Sequence, residues 1–400
     1  MDKSRSIPLV ELQARIGKLQ KAMTAQDVGG VLIVQKTDLF YYSGTGQQGV
    51  LYIPVEGAAL LMVVKDYERA RAETGIQEVV PLTSSRKIPQ ILADYNYPVV
   101  SSLGMELDVL PVNLYFQYKS LFKQAEIVDI STEIRLLRAV KSDFEVKKIK
   151  KAAELSDKLA ARVPELLVAG KTEVELAGEL EGYARTLGHQ GIVRMRLWGS
   201  ELFYGHLLSG ASAAVPSYLA SPTGGQGVST VIAQGAGYKK IAPCEPVLVD
   251  YVFTYDGYLS DHARIFSIGK VSQDLLAAHE AMLEIQEDVK TLAKPGMETG
   301  LLYETMVELA AKKGYADSFM GVGERRIRFT GHGVGLELDE FPFIAKGQKL
   351  CLEEGMVIAF EPKTIFPGKG VVGIENTHLV TQSGLEPLTC YPDEICVVSG

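Results

Sequence analysis

The sequence predicts an α/β (α+β) chain of two domains, and three observations carry that reading. Its 400 residues exceed one ordinary domain. Short apolar runs alternate with helical stretches over the first third, which is the pattern of a small α/β unit. From about residue 143 the pattern changes to long helices and long strands. The predicted boundaries are an N-terminal α/β domain at 1–132, a helical connector at 133–142, and a larger second domain at 143–400.

Taken in order, Leu12, Ile16, Leu19 and Met23 recur at helical spacing, so the chain opens with an amphipathic helix. Apolar runs at 30–34, 50–54 and 58–64 read as strands, with helices around 66–74 and 87–95. No catalytic constellation is visible in this part. The connector and the helix after it carry Arg135, Arg138, Lys141, Lys147 and Lys148, read as a solvated helix face in preference to an anion site. Thr172 with Glu175 forms a capping box before a helix to about Leu187. Strands are expected at 191–197 and 203–209, then a Gly-rich loop, SPTGGQG, at 221–227. That loop lacks the register of a phosphate cradle and reads as an active-site rim. VLVDYVFTYDGYLSDHARIFSIG reads as a hairpin about its Asp-Gly turn, and helices at 272–293 and 299–314 precede the last strands.

Composition excludes several classes. With 49 acidic against 41 basic residues and a net charge of −8, the chain lacks the basic excess that nucleic acid demands. No apolar run reaches membrane-spanning length, and the N-terminal stretch lacks the apolar core of a signal peptide. Cys244, Cys351, Cys390 and Cys396 form no CxxC, so the expectation is buried or half-buried free thiols in a reducing cytoplasm.

Five residues carry the chemistry: Asp250, Asp261, His332, Glu361 and Glu375. Four carboxylates and one imidazole make a hard donor set able to neutralise two divalent cations about 3.5–4 Å apart. Asp250 and Asp261 lie on opposite strands of the hairpin, where they can be cross-strand neighbours. His332 stands between glycines that admit a close backbone approach. Glu361 and Glu375 close apolar strands, where a bare charge is costly without a cation.

These segments, with GHGVGLELDEFP, GMVIAFEP and GIENTHLVT, resemble the pita-bread metallopeptidases, a family that includes methionine aminopeptidase, Xaa-Pro aminopeptidase, prolidase and creatinase. The likeness spans about 143–395. TDLFYYSGT in the first domain is similar to the extra N-terminal domain of the prolidase, Xaa-Pro aminopeptidase and creatinase branch. The resemblance implies a creatinase-like N-terminal domain, a pita-bread catalytic domain and a homodimer. It implies two divalent ions (Mn, Co, Fe or Zn), with Asp250 on one, Asp261 and Glu375 bridging, and His332 and Glu361 on the other. A metal-bridged hydroxide would attack a peptide or amide carbonyl, with Glu361 as proton shuttle.

Four positions depart from the family's pattern. Ser217 stands where a Pro-His histidine is usual, Asp339 where a second histidine is usual, Gly373 where an arginine is usual and Val252 where a glycine is usual. Ser217 and Asp339 are therefore the further candidate catalytic residues, Asp339 as a general base. His206 and His262 are possible stand-ins for the missing histidines, although a structural role is the plainer reading of each. Three functions stay open: an Xaa-Pro-type peptidase, a repurposed lyase or C–N hydrolase acting on a small metabolite, and a non-catalytic binding protein.

Overall fold

The computed structural model describes residues 6–202 and 204–399. Phe203, the first residue of an expected strand, lies outside them. The chain divides into two compact units between Arg138 and Ala139.

The first unit runs α1 (Leu9–Ala25), β1 (Gly30–Ile33), α2 (Lys36–Ser43), β2 (Gly49–Pro54), β3 (Leu60–Val63), α3 (Tyr67–Glu73), β4 (Glu78–Pro81), α4 (Ile88–Asp94), β5 (Ser102–Met105), α5 (Val112–Leu121), β6 (Glu126–Asp129) and α6 (Ser131–Ala139). Its strands form one mixed sheet in the order β4-β3-β2-β1-β5-β6. Leu12, Ile16, Leu19 and Met23 of α1 are buried, as their spacing requires. Arg138 is not on a solvated face. It is buried, with its guanidinium 2.6 Å from Asp38, because an Arg beside a buried carboxylate gains more from the pair than from water.

The second unit begins with α7 (Asp143–Leu166), capped reciprocally by Ser142 and Glu145, and α8 (Glu173–Thr186), capped by the expected Thr172–Glu175 box. Then come β7 (Gly205–Ser209), β8 (Val247–Tyr255), β9 (Tyr258–Ile268), α9 (Gln273–Leu292) and α10 (Thr299–Lys312). The remaining strands are β10 (Phe329–Gly333), β11 (Glu340–Ala345), β12 (Val357–Phe360), β13 (Lys363–Phe366), β14 (Gly370–Gly373), β15 (Asn376–Thr381), β16 (Gly384–Pro387) and β17 (Cys396–Val398). They form a four-stranded sheet β17-β9-β8-β7, a five-stranded sheet β11-β10-β12-β15-β16, and the ribbon β13-β14.

The β8–β9 hairpin positions the chemistry. Its turn takes left-handed backbone at Asp256 (φ 49°) and Gly257 (φ 90°), which matches the strand twist and fixes the register. Val249, Tyr251 and Phe253 pack with Leu155, Leu159 and Val163 of α7, so one face of the hairpin is core. Alternation sends Asp250 and Asp261 to the other face. In the observed register Asp250 faces Ala263 and Asp261 faces Val252, so the two aspartates are diagonal neighbours.

Three expectations are corrected. Residues 191–197 make no strand, only a single bridge from Met195 to Leu338, since the partner segment leaves extended backbone at Asp339 (φ 61°) and the ladder stops there. Lys141 is buried against Glu340 at 3.2 Å instead of solvated. The four thiols are free, but Cys244 and Cys390 are exposed, Cys244 because it sits in a turn at φ 63°.

Candidate metal centre

The two sheets of the second unit meet at a bridge between Ala263 and Glu375, and the five predicted residues converge beside it. Thr377 fixes Asp261 from behind: its hydroxyl accepts the Asp261 N–H at 2.9 Å and donates to the Asp261 carbonyl at 2.8 Å. His332 lies on β10 opposite Ala359 of β12, and Glu361 follows that strand, its N–H donating to the Thr330 carbonyl at 3.1 Å. Arg264 donates to the Glu375 carbonyl at 3.0 Å and to Asn376 Oδ1 at 2.8 Å, fixing the segment that carries Glu375.

His332 Nε2 is 3.6 Å from Asp261 Oδ2 and 3.8 Å from Glu375 Oε1, and one donor atom from each of these buried residues lies within 4.8 Å of the others. Ligands at about 2.0–2.2 Å from a common ion stand roughly 3–3.5 Å apart. Two buried carboxylate oxygens and an imidazole at this spacing fit a divalent cation.

Electrostatics point the same way. Burial, then Glu375 and Asp250, holds the Asp261 carboxyl well above its usual range, against His332 and Lys363. Burial likewise raises Glu375, where Lys363 opposes it and Glu361 and Asp250 add to it. Burial raises Glu361 against the pull of Lys363 and His332. Burial disfavours His332 as a cation, but Asp339, Asp261 and Glu361 outweigh it and the net shift is upward. This is a site with an excess of buried negative charge.

Among these groups stands a residue absent from the sequence-based candidates. Lys363 is 1% exposed, and its Nζ lies 2.8 Å from Asp250 Oδ2, 3.1 Å from Glu361 Oε2 and 2.6 Å from Glu375 Oε2. Burial opposes its charge, but Asp250, Glu375 and Glu361 outweigh that and hold it firmly as an ammonium. The signal was present in the sequence. Glu361 and Lys363 are two apart in extended chain, so they share a face.

Asp250, Asp261, His332, Glu361 and Glu375 line one cleft, whose walls include Met195, Leu202, Leu219, Phe329 and Leu338. Asp339 also lines it, at φ 61°, with Oδ1 3.6 Å from His332 Nδ1. Its loop is held by Glu340, which accepts the N–H groups of Leu336 and Glu337. Ser217 is not brought to the cleft; its Oγ accepts the Leu219 N–H at 3.1 Å and is spent on its own turn, while Leu219, Ala220 and Ser221 supply the wall. Val252 lines the cleft beside His206, which pairs with Asp250 across β7–β8 and whose ring nitrogens lie 3.4 Å from Thr223 Oγ1 and 3.5 Å from Gln234 Oε1. So His206 lies in the wall of the cleft, buried between Thr223 and Gln234. His262 does not: it faces α7, with Nδ1 3.0 Å from Ser156 Oγ.

The model of metallopeptidase family M24 matches residues 147–382, and that of the creatinase/prolidase N-terminal domain matches residues 15–140. The chain belongs to metallopeptidase family M24. This M24 chain is therefore a peptidase-type hydrolase that depends on a divalent metal. It is similar to the Xaa-Pro dipeptidase of Pyrococcus furiosus, at 31% identity over 94% of this chain and 98% of that one. Among solved structures it resembles an Xaa-Pro dipeptidase from Bacillus anthracis (TM-score 0.82, 26% identity, 97% of this chain and 100% of that one). It also resembles an X-Pro aminopeptidase from Thermotoga maritima (TM-score 0.80, 26% identity, 96% of this chain and 99% of that one). No helix among the described residues is long and apolar enough to cross a membrane.

Proposed function

We propose that this M24 chain hydrolyses the bond between an N-terminal residue and proline in short peptides, with Asp261, His332 and Glu375 holding the cation. The observation that carries the reading is the buried, closely spaced donor set at the floor of a cleft. Its likeness to Xaa-Pro dipeptidases over nearly the whole chain supplies the substrate class.

A bound divalent ion supplies Lewis acidity that polarises a carbonyl and acidifies water. The chain's own residues do the rest. Glu361, raised by burial and lining the cleft, takes a proton from the attacking water and returns it to the leaving nitrogen. The Gly333 carbonyl, 3.2 Å from His332 Nδ1, orients the ring, and Asp339 sets its charge beside the same nitrogen at 3.6 Å. The apolar wall of Leu202, Leu219 and Phe329 receives the proline ring and excludes water.

The reading includes a homodimer in the cytoplasm. Trp198 is 98% exposed, and Leu197, Tyr218 and Val231 are exposed in the same 197–231 stretch, apolar surface that a second copy would cover. Four free cysteines suit a reducing compartment.

A second reading, a lyase or C–N hydrolase on a small non-peptide metabolite, is favoured by one observation: where the family's pattern has a histidine, the cleft presents the carboxylate of Asp339. The test separates them. Protein loaded with Mn, Co, Zn or Fe in turn is assayed against Xaa-Pro dipeptides and longer Xaa-Pro peptides, with Asp261→Ala as blank. Metal-dependent proline release absent from the blank establishes the peptidase; bound metal without cleavage overturns it in favour of the second reading.

A further inference from the structure

We infer that the ammonium of Lys363 permanently fills one of the two cation positions of the centre, so that the folded chain holds one divalent ion, at Asp261, His332 and Glu375. The inference rests on the metal-dependent reading above and departs from the two-ion centre that the resemblance implies.

The geometry is that of a built site. An ammonium has three donors and no acceptor, and here three separate carboxylates, Asp250, Glu361 and Glu375, each direct one oxygen at Nζ within 2.6–3.1 Å. Those contacts are charge-assisted hydrogen-bond lengths. Asp250 and Glu361 are the two predicted ligands outside the Asp261–His332–Glu375 cluster, and each turns one oxygen to the lysine at the place where a second ion would draw on it.

The backbone is shaped for the lysine as well. Lys363 pairs with Gly373 across β13–β14. Gly373 sits at φ 149°, and a Cβ there would lie 2.6 Å from Lys363 Cα and 3.0 Å from its Cγ. The nearest obstacle is the Pro362 carbonyl oxygen at 2.3 Å, so the backbone of this ribbon, with the lysine stem behind it, leaves no room at 373 for the arginine usual in the family.

The test is a count of ions. Full-length protein stripped with a chelator is titrated with Mn²⁺ and separately with Zn²⁺ by calorimetry, and the bound metal is measured by elemental analysis after dialysis. Asp261→Ala serves as the background. Wild type is expected to bind one ion per chain, Lys363→Arg one, and Lys363→Met two, with a melting temperature that rises on addition of metal far more in Lys363→Met than in wild type. Two ions on wild type, or one ion on folded Lys363→Met, would overturn the inference. Should Lys363→Met not fold, the counts on wild type and Lys363→Arg still decide it. Two ions with intact Xaa-Pro cleavage sink the lysine inference alone. One ion without cleavage sinks the peptidase reading alone, and no ion sinks both.

Discussion

Thr377→Val removes a hydroxyl at nearly constant volume from behind the metal centre. The Val252 N–H is bonded to the Tyr204 carbonyl at 2.8 Å, on the far side of β8, so Val252 and Asp261 face each other as a non-hydrogen-bonded pair. The Asp261 N–H and carbonyl therefore point away from β8, to Thr377 Oγ1 at 2.9 and 2.8 Å. Valine leaves both buried groups unpaired. Each unsatisfied group costs about 1–3 kcal/mol, and after relaxation the pair should cost about 2–4 kcal/mol. Loss of the anchor also loosens Asp261, and outer partners of metal ligands are worth about 10–100-fold in metal affinity. Thr377→Ser keeps the hydroxyl and forfeits one methyl, about 1 kcal/mol, with affinity near wild type. Urea denaturation of chelator-stripped protein reads the first quantity and calorimetric Mn²⁺ titration the second. A valine variant within about 0.5 kcal/mol of wild type at unchanged affinity would refute the reasoning.

Two further outcomes are expected of the same structure. His378 is fully buried against Phe360, and burial, helped by Lys290, depresses its pKa to about 3 from 6.5. The unfolded chain thus binds the proton first. Stability present above pH 6.5 is lost as pH falls toward 3, and the loss between pH 7 and 4.5 comes to about 2–3 kcal/mol from this residue. His378→Leu should remove that part of the pH dependence, whatever its effect at pH 7; urea midpoints at the two pH values check it, and parallel losses in both proteins contradict it. Asp339→Asn keeps the shape of the cleft but takes a charge from beside His332 Nδ1. It should weaken metal binding or kcat/KM by about 10–100-fold; calorimetry with a kinetic assay measures this, and an unaltered enzyme would remove Asp339 from the site.

The five candidate ligands were legible because the four carboxylates are costly charges on or beside apolar runs and His332 stands between glycines, and local pattern fixes where a strand lies. The two-residue turn at Asp256–Gly257 even sets which face Asp250 and Asp261 share. What could not be read depends on pairing between distant segments. His206 enters the site through the β7–β8 register, with the whole 210–246 stretch intervening. Ser217 looked placed for chemistry by its position after a proline, but the loop's path turns its hydroxyl onto Leu219 and offers Ser221 in its stead. The missing strand at 191–197 is a case of the same kind, since Met195 finds its partner in Leu338 and the ladder stops where Asp339 takes φ 61°.

Lys363 shows why a complete ligand shell in a sequence does not fix the number of ions. Carboxylates are indifferent to which cation neutralises them, and a buried ammonium with three donors matches a converging trio of oxygens as a metal does. It differs in being covalently delivered, so it is present at every metal concentration. The stripped centre of this chain should therefore be less strained than one whose four carboxylates face each other bare, because breaking a buried pair by removing one partner costs about 3–5 kcal/mol. The chain then keeps a formed site while free of metal, and ion binding adds to a structure already held by Asp250, Glu361 and Glu375 on one nitrogen.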